Sequence, residues 1–250
     1  MNFGSFPHEE RKYPVKHLRS IIHAVVVFVA MTLSLGACTI DYYRVRRPEP
    51  THHDRIEMLR SVTVALVERR MNGNLKVYCS GVWTDERVVL TAAHCVDDVK
   101  LGDEVLVADF ADVDLVENVV GHAHRAYVSR RKADVDLALL SLIEAPHPHV
   151  IAPTRPSVND GERVTIVGHP ARMLYTWFDG AVVSMRVIDS PHGVDEVVQV
   201  SSQAWFGNSG GGMFDANGKL VGICSFIMME STPLTGYFIS PKNVTKFLGK

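Results

Sequence analysis

The chain has 250 residues, 46% hydrophobic and 22% charged, enough apolar material for a sizeable core and too much for a disordered protein. With 26 Lys and Arg against 28 Asp and Glu, the formal net charge of −2 gives no electrostatic footprint for nucleic acid. The short basic clusters at Arg44, Arg46, Arg47 and at Arg130, Arg131, Lys132 read as solvated surface.

In chain order, Arg11, Lys12, Lys16 and Arg19 precede the apolar run "IIHAVVVFVAMTLSL" at residues 21–35. A membrane-spanning helix needs about 18 or more apolar residues. The shorter run, with basic residues before it and small residues after it, predicts a secretory signal over residues 1–37. An uncleaved signal anchor is the alternative. The run ends in "LGAC", Leu35 to Cys38, which resembles the bacterial lipobox. That resemblance implies a lipid on Cys38 and an exported chain held to a membrane on its periplasmic or cell-surface side. The plainer alternative is an ordinary cysteine near a conventional cleavage site. Residues 38–55, with Pro48, Pro50, His52 and His53, lack clean periodicity and read as a tether.

From Ile56 the pattern turns to β. "SVTVALVERR" (61–70), the Asn-Gly turn in "MNGN", "LKVYCSGVW" (75–83), the turn "TDER" and "VVLTAAH" (88–94) predict three strands. "DEVLVADF", "LVENVVGHAH" and "DLALLSLI" continue the series, and "HPHVIAPTRP" (147–156) suits a crossover linker. A second series follows: "RVTIVGH", "YTWFDGAVVSMRVI", "EVVQVSS", "GGMFD", "KLVGICSFIM" and "GYFIS". Many short strands with regular turn signals predict an all-β sandwich or barrel. "SPKNVTKFLGK" predicts a short terminal helix.

Four cysteines are present, Cys38, Cys79, Cys95 and Cys224. If Cys38 carries lipid, one of the remaining three stays unpaired. Cys79 and Cys95 lie in a strand–turn–strand segment, and export would place them where a bridge persists. Closing a loop of that length contributes on the order of 3 kcal/mol. Cys224, in an apolar strand, reads as a buried free thiol, with pairing to Cys38 or Cys79 left open.

The serine in "WFGNSGGG" (205–212) raises the question of catalysis. A hydroxyl needs a neighbouring base to act as a nucleophile, imidazole suits that task near neutrality, and a buried carboxylate orients the imidazole. "TAAHC" supplies His94 at a strand end, "DVDLALL" supplies Asp136 before an apolar strand, and "GNSGG" supplies Ser209. In this order, on a β-rich background, the three stretches resemble the trypsin/chymotrypsin family over residues 60–245.

The resemblance implies two six-stranded antiparallel β-barrels with the site between them. The protease domain would span residues 56–250, with barrel one about 56–146 and barrel two about 156–245. The cysteine pair Cys79 and Cys95 around His94 fits the same family. Asp134 is the competing acid; Asp136 is preferred because the family's acid directly precedes the Leu-Ala-Leu strand. Gly207 and Ser209 would supply the backbone N–H groups of an oxyanion hole, and Gly210, Gly211 and Gly212 would leave room behind the serine. The family often has proline where Gly212 stands.

Asn208 replaces the aspartate that pairs with a new amino terminus in digestive members, so that activation switch is not expected. "GNSGG", "VGHP" (167–170) and "GYFISP" (236–241) look closer to the HtrA-like bacterial branch, though with no PDZ domain behind the second barrel. The resemblance places Gln203 in the pocket for the residue before the cleaved bond. Ser225, Phe226 and Ile227 would form an edge that pairs with substrate backbone, and Phe226 and Tyr237 would narrow the pocket. The expected activity is a serine endopeptidase acting on peptides or unfolded proteins through an acyl-enzyme. The alternatives are an inactive binding lipoprotein on the same fold and an esterase. No cofactor is expected. The pairs His122/His124 and His147/His149 lack a third ligand at zinc-site spacing, so no metal is expected either. His169 reads as a packing or turn residue.

Overall fold

The computed structural model describes residues 50–144, 150–190, 193–202, 205–227 and 235–250. The signal and tether residues up to 49, including Cys38, lie outside the described residues, as do His147, His149 and Gln203.

The described chain opens with helix α1 (His52–Ser61). Two closed barrels follow. The first is ordered β1-β2-β3-β8-β7-β4, from β1 (Thr63–Arg69), β2 (Leu75–Asp85), β3 (Val88–Ala92), β4 (Glu104–Ala108), β7 (His124–Lys132) and β8 (Leu137–Leu142). Between β4 and β7 sits a two-stranded ribbon, β5 (Val113–Asp114) with β6 (Val119–Val120). The second barrel is ordered β10-β11-β14-β13-β12-β9, from β9 (Arg163–Gly168), β10 (Thr176–Ser190), β11 (Gly193–Ser201), β12 (Gly212–Phe214), β13 (Leu220–Ile227) and β14 (Thr235–Ile239). Helix α2 (Pro241–Leu248) closes the chain, capped by Ser240 and by Gly249 in the left-handed conformation. The expected all-β fold with two six-stranded barrels is the observed one.

Strand periodicity explains the layering. In β1, Val64 and Leu66 face the first barrel's interior with Trp83 and Leu140, while Ala65 and Val67 face an outer cluster with Leu174 and Tyr175. The second barrel is filled by Val164, Ile166, Val198, Val200, Met213 and Phe238. A third core joins the two: Val82, Leu90 and Leu137 pack with Val167, Phe214, Ile223 and Ile239, sealed by Leu59 of α1 and Phe247 of α2. This shared apolar wall sets the two barrels edge to edge, so loops from both meet beside it.

Three expectations are corrected. The tether does not run to residue 55 and β structure does not begin at Ile56. Residues 52–61 are helical, because Thr51 and Asp54 form a reciprocal capping box and Ile56 and Leu59, three apart, share a buried face. "LVENVVGHAH" holds only the two-residue β6; its Leu115 and Val116 are exposed, with the left-handed Asn118 turning the chain between them and β6. The missed strand is β7, "HRAYVSRRK". Ala126 and Val128 enter the barrel, but only these two apolar aliphatic residues stand in the strand, among Arg125, Tyr127 and the run Ser129 to Lys132, and this conceals the alternation. The basic cluster there is not simply solvated: Arg130 lies over the Phe247 ring at 4.4 Å, and Arg131 donates to the carbonyls of Val96 and Val99 at 2.7 and 2.9 Å.

Candidate active site

His94 lies in a single tight turn, Ala93–Val96, directly after β3. Its neighbour Cys95 is bonded to Cys79 in β2, so a covalent bridge ties this turn to the barrel wall. Asp136 ends a similar turn before β8, in the left-handed conformation (φ 52°, ψ 41°). Its carbonyl accepts from the N–H of Ala93 at 2.9 Å, which joins the two turns.

The Asp136 side chain is 1% exposed. One oxygen accepts from the backbone N–H of His94 at 3.0 Å, and the two oxygens lie 2.9 and 3.0 Å from Nδ1 of the ring. The hydroxyl of Ser225 donates a further short hydrogen bond to it. Burial raises the Asp136 pKa, but the hydrogen bonds from His94, its charge and the Ser225 hydroxyl together outweigh burial, so the pKa is lowered overall. A carboxylate held ionised against Nδ1 fixes the imidazole tautomer, the arrangement a histidine base requires. Asp134 is exposed and pairs with Lys132; Asp136 is the residue against His94.

Ser209 comes from the second barrel, in the loop before β12. Its hydroxyl lies 3.4 Å from the carbonyl of Ser225, whose side chain is on Asp136. Its own carbonyl accepts from the Ser80 N–H of β2 at 2.8 Å and lies 3.6 Å from Cys95 Sγ. A ring nitrogen of His94 is within 4.8 Å of both disulfide sulfurs, so the serine loop and the imidazole share one small region.

The backbone of this loop is directed by its hydrogen bonds. Trp205 to Asn208 form a turn closed by Asn208 N–H to Trp205 C=O at 3.0 Å, with Gly207 at φ +100° in third position, as in a type II turn. The Phe206 carbonyl accepts from Ala171 N–H at 2.7 Å, and the Asn208 carbonyl from Gly211 N–H at 2.7 Å. In a trans peptide the N–H points opposite to the C=O. The N–H of Gly207 therefore points away from Ala171, and that of Ser209 away from Gly211. Glycine is required at 207 by its φ and by space: an added Cβ would lie 2.2 Å from the His169 carbonyl oxygen. At Gly210 it would lie 2.0 Å from the Ser80 carbonyl oxygen.

The segment that presents Ala171 N–H is strained. Ala171, Arg172 and Tyr175 all have positive φ, at 50°, 69° and 49°. Each such residue costs about 1–3 kcal/mol and persists only when its surroundings fix it. Asn118 brackets the segment, donating to the Arg172 carbonyl at 3.1 Å and accepting from Leu174 N–H at 2.9 Å. Tyr175 is fully buried, donates to the Ala108 carbonyl at 2.9 Å, and its carbonyl accepts from Arg60 at 3.0 Å.

Of the other expected site residues, Ser225 has its side chain buried on Asp136 and its carbonyl facing the Ser209 hydroxyl. Among the described residues, β12 pairs with β13 no further than Ile223, and residues 226–227 pair with β14 alone. Phe226 and Tyr237 stack face to face across those strands, 5.1 Å between centroids and 4° between planes. Cys224 is a buried free thiol whose pKa is pushed up to about 12 by burial, with a further contribution from the Asp136 charge. His122 and His124 pack edge to face, and His124 Nε2 is 2.8 Å from Asp112. Sequence reasoning gave Ser80 no role and read His169 only as a packing or turn residue. Both are fully buried polar residues between the barrels, and their only sequence signal is a polar side chain beside the glycine Gly81 or Gly168 in an apolar strand.

Residues 79–223, more than half of the chain, match the family model of the trypsin-like peptidase domain. The chain belongs to that family. The segment matched contains His94, Asp136 and Ser209. No curated protein matches the chain significantly. Among solved structures, the HtrA-type protease AlgW with a bound tripeptide is similar at TM-score 0.65 and 20% identity, covering 80% of this chain and 63% of that one. The Rv3671c protease from M. tuberculosis in its active form is similar at TM-score 0.63 and 18% identity, covering 78% and 83%. A serine endoprotease from Yersinia pestis is similar at TM-score 0.60 and 21% identity, covering 80% and 66%. The chain thus spans less than two thirds of the AlgW chain, and at these identities the likeness is one of fold.

Proposed function

We propose that this protein is a serine endopeptidase in which Ser209, His94 and Asp136 form the catalytic triad. The observation that carries the reading is the buried Asp136 carboxylate, hydrogen-bonded to His94 Nδ1 and linked through Ser225 to the Ser209 loop. Ser209 Oγ attacks the scissile carbonyl carbon as His94 Nε2 takes its proton, and the C=O π electrons move onto oxygen. The N–H groups of Gly207 and Ser209 stabilise that oxyanion. Collapse expels the amine, which receives the proton from His94 and leaves an acyl-enzyme. Water, deprotonated by His94, then attacks the ester and regenerates the serine.

A peptide bound in extended form would add to the edge at residues 226–227, which among the described residues pairs on one side only, and this supports a peptide or unfolded protein as substrate. AlgW, similar in fold, is known with a bound tripeptide. We further propose export and anchoring through lipid on Cys38, on the strength of the "LGAC" stretch behind its apolar run.

Labelling with a fluorophosphonate and cleavage of fluorescein-casein test the triad. Ser209→Ala is expected to lose labelling and to lower turnover by on the order of 10⁶-fold while the melting temperature is kept. Equal labelling of the variant would remove Ser209 from the role. For the anchor, incorporation of labelled palmitate should disappear in Cys38→Ala.

A further inference from the structure

The oxyanion loop is held by a buried histidine outside the triad. His169 is fully buried, and its Nδ1 lies 2.8 Å from Ser80 Oγ; that hydroxyl lies 2.7 Å from the Gly207 carbonyl oxygen. A hydroxyl has one proton. The Gly207 carbonyl can only accept, so the Ser80 proton goes there and Oγ must accept from Nδ1–H. His169 is then the Nδ1–H tautomer, and its buried Nε2 has no hydrogen-bond partner among the described residues. Burial lowers its pKa to about 3, so the ring is neutral at ordinary pH. Tyr175 packs edge-on against it, 4.6 Å between centroids.

We propose that His169 and Ser80 are positioning residues for the oxyanion hole: imidazole to hydroxyl to Gly207 carbonyl forms a relay that keeps the 205–208 turn in its type II form. The physical reason is the turn's alternative. A type I turn needs the 206–207 peptide rotated by about half a turn, which would carry the Gly207 N–H away from the substrate oxygen. The Phe206 carbonyl is fastened to Ala171 N–H, and the Gly207 carbonyl to Ser80. Both restraints originate in the segment 169–171, from the His169 ring and from Ala171 N–H. Rotation would break the bond from Ala171 N–H to the Phe206 carbonyl, while the Ser80 hydroxyl, by holding the Gly207 carbonyl of the next peptide, fixes the pivot about which that peptide would have to turn. The proposal rests on the protease reading for its effect on catalysis, but not for the geometry it asserts.

The experiment uses Ser80→Ala, His169→Phe and the double variant, in the full chain. His169→Phe retains a ring against Tyr175 and removes the donor. Turnover of fluorescein-casein is normalised to sites titrated with a fluorophosphonate, so misfolded protein does not count. Each single change is expected to lower kcat per titrated site by about 10- to 100-fold, below the full loss of an oxyanion donor, with KM within about twofold. The double variant should be no worse than about threefold below the poorer single, since a broken relay cannot be broken twice.

Unchanged kcat per site in Ser80→Ala, or effects that multiply in the double variant, would overturn the relay. Should His169→Phe fail to fold, Ser80→Ala, which deletes one atom, still decides. ¹⁵N NMR of the wild-type imidazole supplies a readout that needs no activity: Nδ1–H with bare Nε2 is expected, and an Nε2–H tautomer would sink the proposal. The protease reading fails separately, by absent labelling of the wild type.

Discussion

His94 and Asp136, from the first barrel, are joined through a side-chain carboxylate that takes one bond from a backbone N–H and others from the ring and a serine hydroxyl. The Gly207–Ser209 loop, from the second barrel, is held through its carbonyls, by Ala171 N–H, Gly211 N–H and the Ser80 side chain. The two halves solve different problems. An imidazole has to be oriented and its charge balanced, which a buried anion does. A backbone N–H carries no adjustable group, so it can be aimed only by fixing the opposite end of its peptide. The cost of the second solution is backbone strain, concentrated at Ala171, Arg172 and Tyr175 and contained by Asn118 and the Tyr175 hydroxyl.

If the halves are that different, changes to each should fail differently. The largest effect is expected from Asp136→Asn: an amide cannot fix the same tautomer or stabilise the imidazolium, and kcat should fall by roughly 10⁴-fold with the fold retained. Steady-state kinetics together with a melting curve checks it; a loss below tenfold would deny the carboxylate its role.

Gly207→Ala comes next. The methyl group would meet the His169 carbonyl and demand a φ that alanine resists, so the turn should flip or distort. A fall in kcat of about 10²- to 10³-fold with little change in KM is expected, since the donor matters for the oxyanion and less for the bound ground state. A KM effect alone would mean that the loop binds substrate without serving the oxyanion.

The buried imidazole gives the second half a pH signature. Burial lowers the His169 pKa to about 3, against about 6.5 in the unfolded chain. Below pH 6.5 the unfolded state therefore binds a proton that the folded state refuses, and stability declines as pH falls towards 3. Between pH 6.5 and 5 this amounts to about 2 kcal/mol. Urea melts of wild type and His169→Phe at the two pH values should show that slope in the first and lose it in the second. Asp136 acts in a lower window. Its folded pKa is depressed, so its contribution is present above the unfolded value of about 3.9 and is lost as pH falls through the folded one.

The smallest effect concerns the strain itself. Ala171→Gly keeps the N–H that holds Phe206 and removes the cost of a left-handed Cβ, partly offset by a freer unfolded chain. A gain of about 0.5 kcal/mol with unchanged kcat is expected, measured by denaturant melts. A drop in kcat would show that the strain, and not just the hydrogen bond, holds the turn.

Local signals carried much of this protein's design. Period-two alternation marked most strands of both barrels because each has one face in a core. His94, Asp136 and Ser209 stood out because the stretches "TAAHC", "DVDLALL" and "GNSGG", in that order, resemble the trypsin/chymotrypsin family, and Gly207 through its place in the last of them. β7 escaped because only Ala126 and Val128 are apolar and a run of polar and basic residues follows them, and α1 because its short apolar face is hidden among polar residues.

Tertiary structure alone decided the rest. Ser80 and His169 are 89 residues apart, as are Asp136 and Ser225, and neither pairing leaves a local trace. Whether a histidine is exposed and titrating or buried and neutral depends on what the other barrel places around it. The strained turn at Ala171 exists only because partners distant in sequence hold it there. A side chain's chemistry is written in its own codon, but its solvation, protonation and hydrogen-bond partners belong to the packed chain.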